Sequence, residues 1–148
     1  MTEITFDEFK KAEIKIGTIL SAEKVPDADK LIKLMIDLGP KKVALVDEED
    51  TVSLEQEETI EGEKKEERDI RQVLSGIAMY YPDPSLLVGK QVPVLANLPT
   101  RTIRGFESQG MVLYAVGLEP SEDGSPEGEG FLTTVGPSIE IPAGTPVQ

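Results

Sequence analysis

Two arginines three residues apart, Arg101 and Arg104, sit in the stretch VLANLPTRTIRGFESQGMVL (residues 94–113) of a chain whose formal charge is −13. A guanidinium presents a planar fork of donors that meets phosphate or carboxylate through two bonds and stacks on flat rings. Around the pair stand Asn97, Ser108 and Gln109, whose amide and hydroxyl groups both donate and accept. Gly105 and Gly110 let a backbone come close to a ligand. Such a set suits recognition of phosphates, sugar hydroxyls and base edges. One acid, Glu107, shares the stretch, so a plainer reading stays open on these residues alone: Arg104 pairs with Glu107, and Asn97 and Ser108 close a turn.

Other chemistry is excluded by what the chain lacks. With no histidine and no cysteine, Ser-His-Asp catalysis, thiol nucleophiles, thiolate metal sites and imidazole ligands are absent. The 28 carboxylates fall near one another by chance, and none shows the spacing of an EF-hand loop. The expectation is a protein that is not an enzyme and needs no cofactor or metal. No stretch approaches the ~18 apolar residues that span a bilayer, and MTEITFDEFKKAEI lacks the basic-then-apolar order of a secretory signal. A cytoplasmic protein without a membrane partner follows as the expectation, and 148 residues suit a single domain, 1–148.

Charge is unevenly spread. Residues 1–40 sum to −2, 41–70 to −7, 71–110 to +2 and 111–148 to −6. The stretch holding the arginines is thus the only positive one. The acidic excursion at about 41–70, with DEEDTVSLEQEETIEGEKKEERD at its centre, reads as an exposed hairpin arm, a solvated helix or a disordered segment. EPSEDGSPEGEG (119–130) reads as a long loop. Solubility explains both; shielding of a basic site is the functional alternative.

Elements to position the arginines are legible. Thr5-x-x-Glu8 is a capping box opening a helix through about Ala12, with Ile4 stapled onto Phe9. A first strand has Ile14, Ile16 and Leu20 alternating with Lys15, Gly17 and Ile19. KVPDAD is turn chemistry. A second strand places Ile32, Leu34, Ile36 and Leu38 on one face, and a third, IRQVLSGIAMYY, aligns Val73, Ser75, Ile77 and Met79, with a bulge or close approach at Gly76. DPSLLVG is a one-turn helix capped by Asp83. Pro93 places the fourth strand, KQVPVLAN, at an edge or gap. GMVLYAVG is the fifth, with FLTTV and IEIPAGTPV as further C-terminal strands. Five strands with a short helix between the third and fourth predict an all-β, five-stranded Greek-key barrel of the oligonucleotide-binding (OB) type, whose ligands meet strands two and three and the loops after strands one and four.

Four blocks, PDADKL (26–31), VLSGI (73–77), VLANLPTRTIRG (94–105) and ESQGMVLYA (107–115), resemble in order those of the tRNA-binding domain family, and FDEFKKAEIKIGTIL (6–20) resembles its opening block. That family includes the C-terminal appendage or β-subunit of methionyl-tRNA synthetase, free-standing tRNA-binding proteins and a bacterial secretion chaperone. The resemblance implies a non-catalytic OB-type module that binds tRNA by shape and backbone, works as a homodimer through its C-terminal strands and serves an aminoacyl-tRNA synthetase. Asn97, Arg101, Arg104, Ser108, Gln109 and Met111 fall on the family's signature; Asp29, Lys30 and Ser75 match its other blocks. Lys33 can widen the positive face, unless nearby acids pair with it. On its own residues Met111 reads as packing and the Ser75 hydroxyl as bonded to backbone. Val25, Pro99 and Thr102 depart from the family, which often has histidine at the first position and lysine at the others. Each departure weakens attraction to RNA. Two rivals share the fold: a peptide-binding secretion chaperone and a protein–protein docking module.

Overall fold

Alternation of apolar and polar residues governs the second strand, and its outcome organises everything around it. In the computed structural model, which describes residues 2–41, 67–118 and 130–148, this strand is β2 (Ile32–Pro40). Ile32, Leu34, Ile36 and Leu38 are all buried on one face. β2 lies between β1 (Ile14–Lys24) and β3 (Arg68–Ser75). The sheet continues from β1 to β4 (Gln91–Leu95) and β7 (Met111–Val112), giving the antiparallel order β3-β2-β1-β4-β7. That order, curled so that β3 approaches β7, is the all-β barrel arrangement expected from the sequence. The core joins the β2 row to Ile19, Val73, Ile77, Leu87, Val92, Val94 and Val112, each such side chain contributing about 1.5–3 kcal/mol on burial.

β1 serves two neighbours by bending. Its first half pairs with β4, its second half with β2, and the register slips between Ile19 and Ser21. The extra residue at this bulge is Leu20, so side-chain phase inverts there. Ile19 is therefore buried and Leu20 is 45% exposed, the reverse of the strict alternation expected for this strand.

Other expectations hold or shift for local reasons. Thr5 caps α1 (Phe6–Lys10), its hydroxyl accepting from the Glu8 amide at 3.1 Å, but the helix ends before Ala12, and Ile4 and Phe9 are both exposed rather than sealed as a staple. Asp83 caps the 3₁₀ turn Pro84–Leu87, which delivers Leu87 to the core. β3 stops at Ser75, so Met79 is 72% exposed instead of continuing the buried row. β4 is interior, so of the two expected placements Pro93 takes the gap and not the edge. Pro93 sits opposite Ile16, whose N–H and C=O bond to Thr145 and Gly144 on the other side. The missing N–H of proline thus removes no bond to β1, and β7 pairs only with Val94 and Leu95.

The anticipated fifth strand is two, β7 and β8 (Tyr114–Leu118), and β8 leaves the main sheet to pair with β9 (Gly130–Thr134). FLTTV is thus in β9, whereas IEIPAGTPV supplies only the short β10 (Pro146–Val147), paired to Ile14 and Lys15. The acidic centre of 41–70 (residues 42–66) and the loop 119–129 lie outside the described residues.

Candidate functional site

The stretch between β4 and β7, expected as a plain loop, folds into a hairpin of β5 (Arg101–Ile103) and β6 (Phe106–Ser108). Its two-residue turn is Arg104-Gly105, with φ of 52° and 84°. Both turn residues are left-handed, as the twist of a tight hairpin demands. Glycine adopts that conformation freely; arginine does so at a cost of about 1–2 kcal/mol, so something other than backbone preference places a cation at this tip.

A second, smaller apolar cluster seats the hairpin. Ile103 and Phe106 pack with Leu31 on buried Val25, Ala28 and Leu74. This joins the loop after β1 to the loop after β4 and lays Arg104 beside Asp27–Leu31, where the six residues line a cleft of about 280 Å³. Asp27, also left-handed (φ 64°), begins that segment.

The charges divide clearly. Arg101 and Arg104 are exposed and, among the described residues, neither has an ion pair. Glu107 lies opposite Thr102 in the hairpin and does not bridge to Arg104. Lys30 is exposed beside the cleft. Lys33 is held at 3.6 Å from its cross-strand neighbour Glu23, with its ammonium 5.4 Å from the Phe106 ring. Asp37 is buried and bound by Arg68 at 2.8 Å.

The remaining residues singled out from sequence make their bonds within the chain. Asn97 accepts from the Glu13 amide and donates to the Lys11 carbonyl, tying the hairpin's first root to the end of α1. Buried Ser108 accepts from the Leu74 amide at 3.1 Å. The Gln109 side chain accepts from the Gln72 amide while its backbone N–H donates to the Gln72 carbonyl, so Gln109 behaves as a strand partner for β3. The Ser108 and Gln109 bonds tie β3 to the end of β6 and the residue after it. Ser75 is buried and accepts from the Tyr114 hydroxyl at 2.9 Å rather than bonding to backbone. Met111, expected to pack, is 46% exposed. Arg71, not singled out from sequence, bonds Asp69 and the carbonyls of Ala96 and Gln109. Its signal was an arginine in the same row of β3 as Val73 and Ser75, where a charge needs partners.

Burial pushes the pKa of Tyr114 up to about 12, opposed only partly by its bond to Ser75. The folded state therefore favours the neutral phenol. That contribution is complete below pH ~10 and is lost as pH rises through the folded value. Two units correspond to about 2–3 kcal/mol. Urea midpoints should fall between pH 10 and 12 in the wild type, and Tyr114→Phe should flatten that fall; an equal fall in both would assign the alkaline loss elsewhere.

Residues 61–135 match the tRNA binding domain family. A methionine–tRNA ligase of Porphyromonas gingivalis (strain W83) is 37% identical over 146 residues, covering 99% of this chain and 16% of the ligase. This chain thus spans about a sixth of the relatives it resembles in sequence. Among solved structures, a MetRS-related protein from Pyrococcus horikoshii superposes with a TM-score of 0.65 at 30% identity over the full length of both chains. The chaperone CsaA of Bacillus anthracis superposes with a TM-score of 0.62 at 24% identity, covering 99% of this chain and all of its own.

Proposed function

Because this chain belongs to the tRNA binding domain family, we propose that it is a non-catalytic module, 1–148, that holds tRNA on the Arg101–Arg104 hairpin and the loop 25–31. The observation that carries this reading is a pair of arginines, exposed and without an ion pair among the described residues, on a hairpin whose left-handed turn holds Arg104 and whose own apolar cluster seats it. Arg101, Arg104 and Lys30 meet phosphates, and Lys33 adds to the field from beneath. Met111 offers an apolar contact, while Asn97, Ser108, Gln109 and Ser75 hold the frame. Folded RNA is recognised through phosphates and 2′-hydroxyls along its shallow groove and through bases at loops. Asp27, Asp29 and Glu107 stand beside the cations, which limits affinity to the micromolar class. The relation to methionine–tRNA ligases supports service to an aminoacyl-tRNA synthetase in the cytoplasm; no helix among the described residues is long and apolar enough to cross a membrane.

The test is fluorescence anisotropy of labelled total tRNA at three salt concentrations. Three phosphate contacts per protomer make log affinity fall with log salt at a slope of about −2 to −3. Absence of binding at low salt rejects the reading. The rival, a peptide-binding chaperone, rests on the likeness to CsaA, which at 24% identity carries the fold alone.

A homodimer through the C-terminal strands belongs to the same proposal. Val116, Leu118 and Phe131 of β8 and β9 are exposed, beside half-exposed Tyr80. Light scattering should give twice the 16.1 kDa chain mass, and Leu118→Asp should return it to the monomer with the fold intact. A monomeric wild type would end this part of the proposal.

A further inference from the structure

We propose that Arg71 is a positioning residue of the RNA site, a brace that holds both roots of the basic hairpin to β3 and so fixes where Arg101 and Arg104 are presented. Its affinity readout rests on the tRNA reading above; its structural readout does not.

Arg71 follows the inward row of β3 toward one end of the barrel, after Ser75 and Val73. A guanidinium placed there loses part of its hydration and must recover it from fixed partners. Asp69, two residues away in the same row, accepts from Nε and Nη2 at 3.1 Å each, a parallel two-bond pair. That pair sets the plane of the fork. The remaining nitrogen, Nη1, then donates to the Ala96 carbonyl and, at 3.5 Å, to the Gln109 carbonyl.

The placement of those two carbonyls is the point. Ala96 immediately precedes Asn97, and Gln109 immediately follows Ser108. They are the two roots of the arm that carries the arginines, and one side chain reaches both. Gln72 adds a bond to the Glu107 carbonyl, but only on the returning side. The basic character of this stretch therefore has two parts. Among the described residues Arg101 and Arg104 have no ion pair, whereas Arg71 has all three of its donor nitrogens engaged. Lysine cannot substitute: a point charge on a flexible stem has no plane for Asp69 to set.

The test uses the full chain carrying Arg71→Gln, with two readouts. Hydrogen exchange followed by mass spectrometry should show faster exchange across residues 97–109 while the amides of β2 keep their protection. Affinity for labelled total tRNA should fall ~tenfold, because binding must now order the arm, with the salt slope unchanged because no phosphate contact is removed. Unchanged exchange across 97–109 overturns the proposal. So does a slope reduced by about 0.7–0.9, which would make Arg71 itself a phosphate contact. If the wild type binds no tRNA, the functional reading falls while exchange still decides the brace. Should Arg71→Gln fail to fold, Arg71→Lys and Asp69→Asn, which keep the volume and part of the bonding, carry both readouts.

Discussion

Reversing both arginines, Arg101→Glu with Arg104→Glu, weakens tRNA binding about 100-fold or more, roughly 3 kcal/mol at 1.4 kcal/mol per decade. A charge-assisted bond contributes about 1.5–3 kcal/mol, and two are removed here and replaced by repulsion. The salt slope should flatten by about 1.5–2 as two phosphate contacts disappear. The melting temperature should hold within a few degrees, since both side chains are exposed and no ion pair among the described residues depends on them. That separation of affinity from stability is the informative result. Binding that persists in the double variant would move the RNA contact away from the hairpin, and binding lost together with the fold would say nothing specific about the two charges. Anisotropy beside calorimetric melting distinguishes the cases.

The second large effect lies in the core, where Ile36 of β2, paired with Ile19, leans over Gly17 of β1. A Cβ built on Gly17 would collide with Ile36 Cγ2 and come within 2.8 Å of Leu38 Cδ2. Ile36, which has no measurable exposure, fills the space that glycine leaves. Ile36→Ala should therefore cost about 2–5 kcal/mol, the lost transfer energy plus a cavity. Gly17→Ala overpacks the same place and should cost about 1–3 kcal/mol. Each substitution relieves the other's defect, so the double variant should be more stable than the sum of the singles predicts, by ~1 kcal/mol or more. Urea unfolding of all four proteins measures this. Strict additivity would mean that the sheet shifts to absorb the added methyl group, and that the two side chains do not share one space.

The same pair of strands marks how far local reading of the chain carries. β2 was legible because its pattern is uninterrupted: four aliphatic residues at period two can face a core in only one way. Short-range chemistry was legible too, including the Thr5 cap and the Asp83-Pro84 turn, because each involves groups within three residues of each other. Leu20 was misplaced because a bulge is defined by the partner strand's register, which β1 does not encode alone. Whether Pro93 marked an edge or a gap was not legible, because its tolerance inside the sheet depends on Ile16 bonding to the C-terminal segment.

At the site the division is similar. Composition, the positive stretch 71–110 and the ordered blocks were enough to indicate the tRNA binding domain family, because residue types and their order are properties of the chain itself. What each polar residue does was decided by the fold. Asn97, Ser108 and Gln109 sit in the same stretch as Arg101 and Arg104, yet each makes a bond to a group more than thirty residues away. Arg71 lies in a strand and braces that stretch from outside it. Hydrogen bonds form with whatever tertiary packing brings within about 3 Å. The chain thus determined which chemistry was available, and only the closure of the barrel determined which cations were left free to use it.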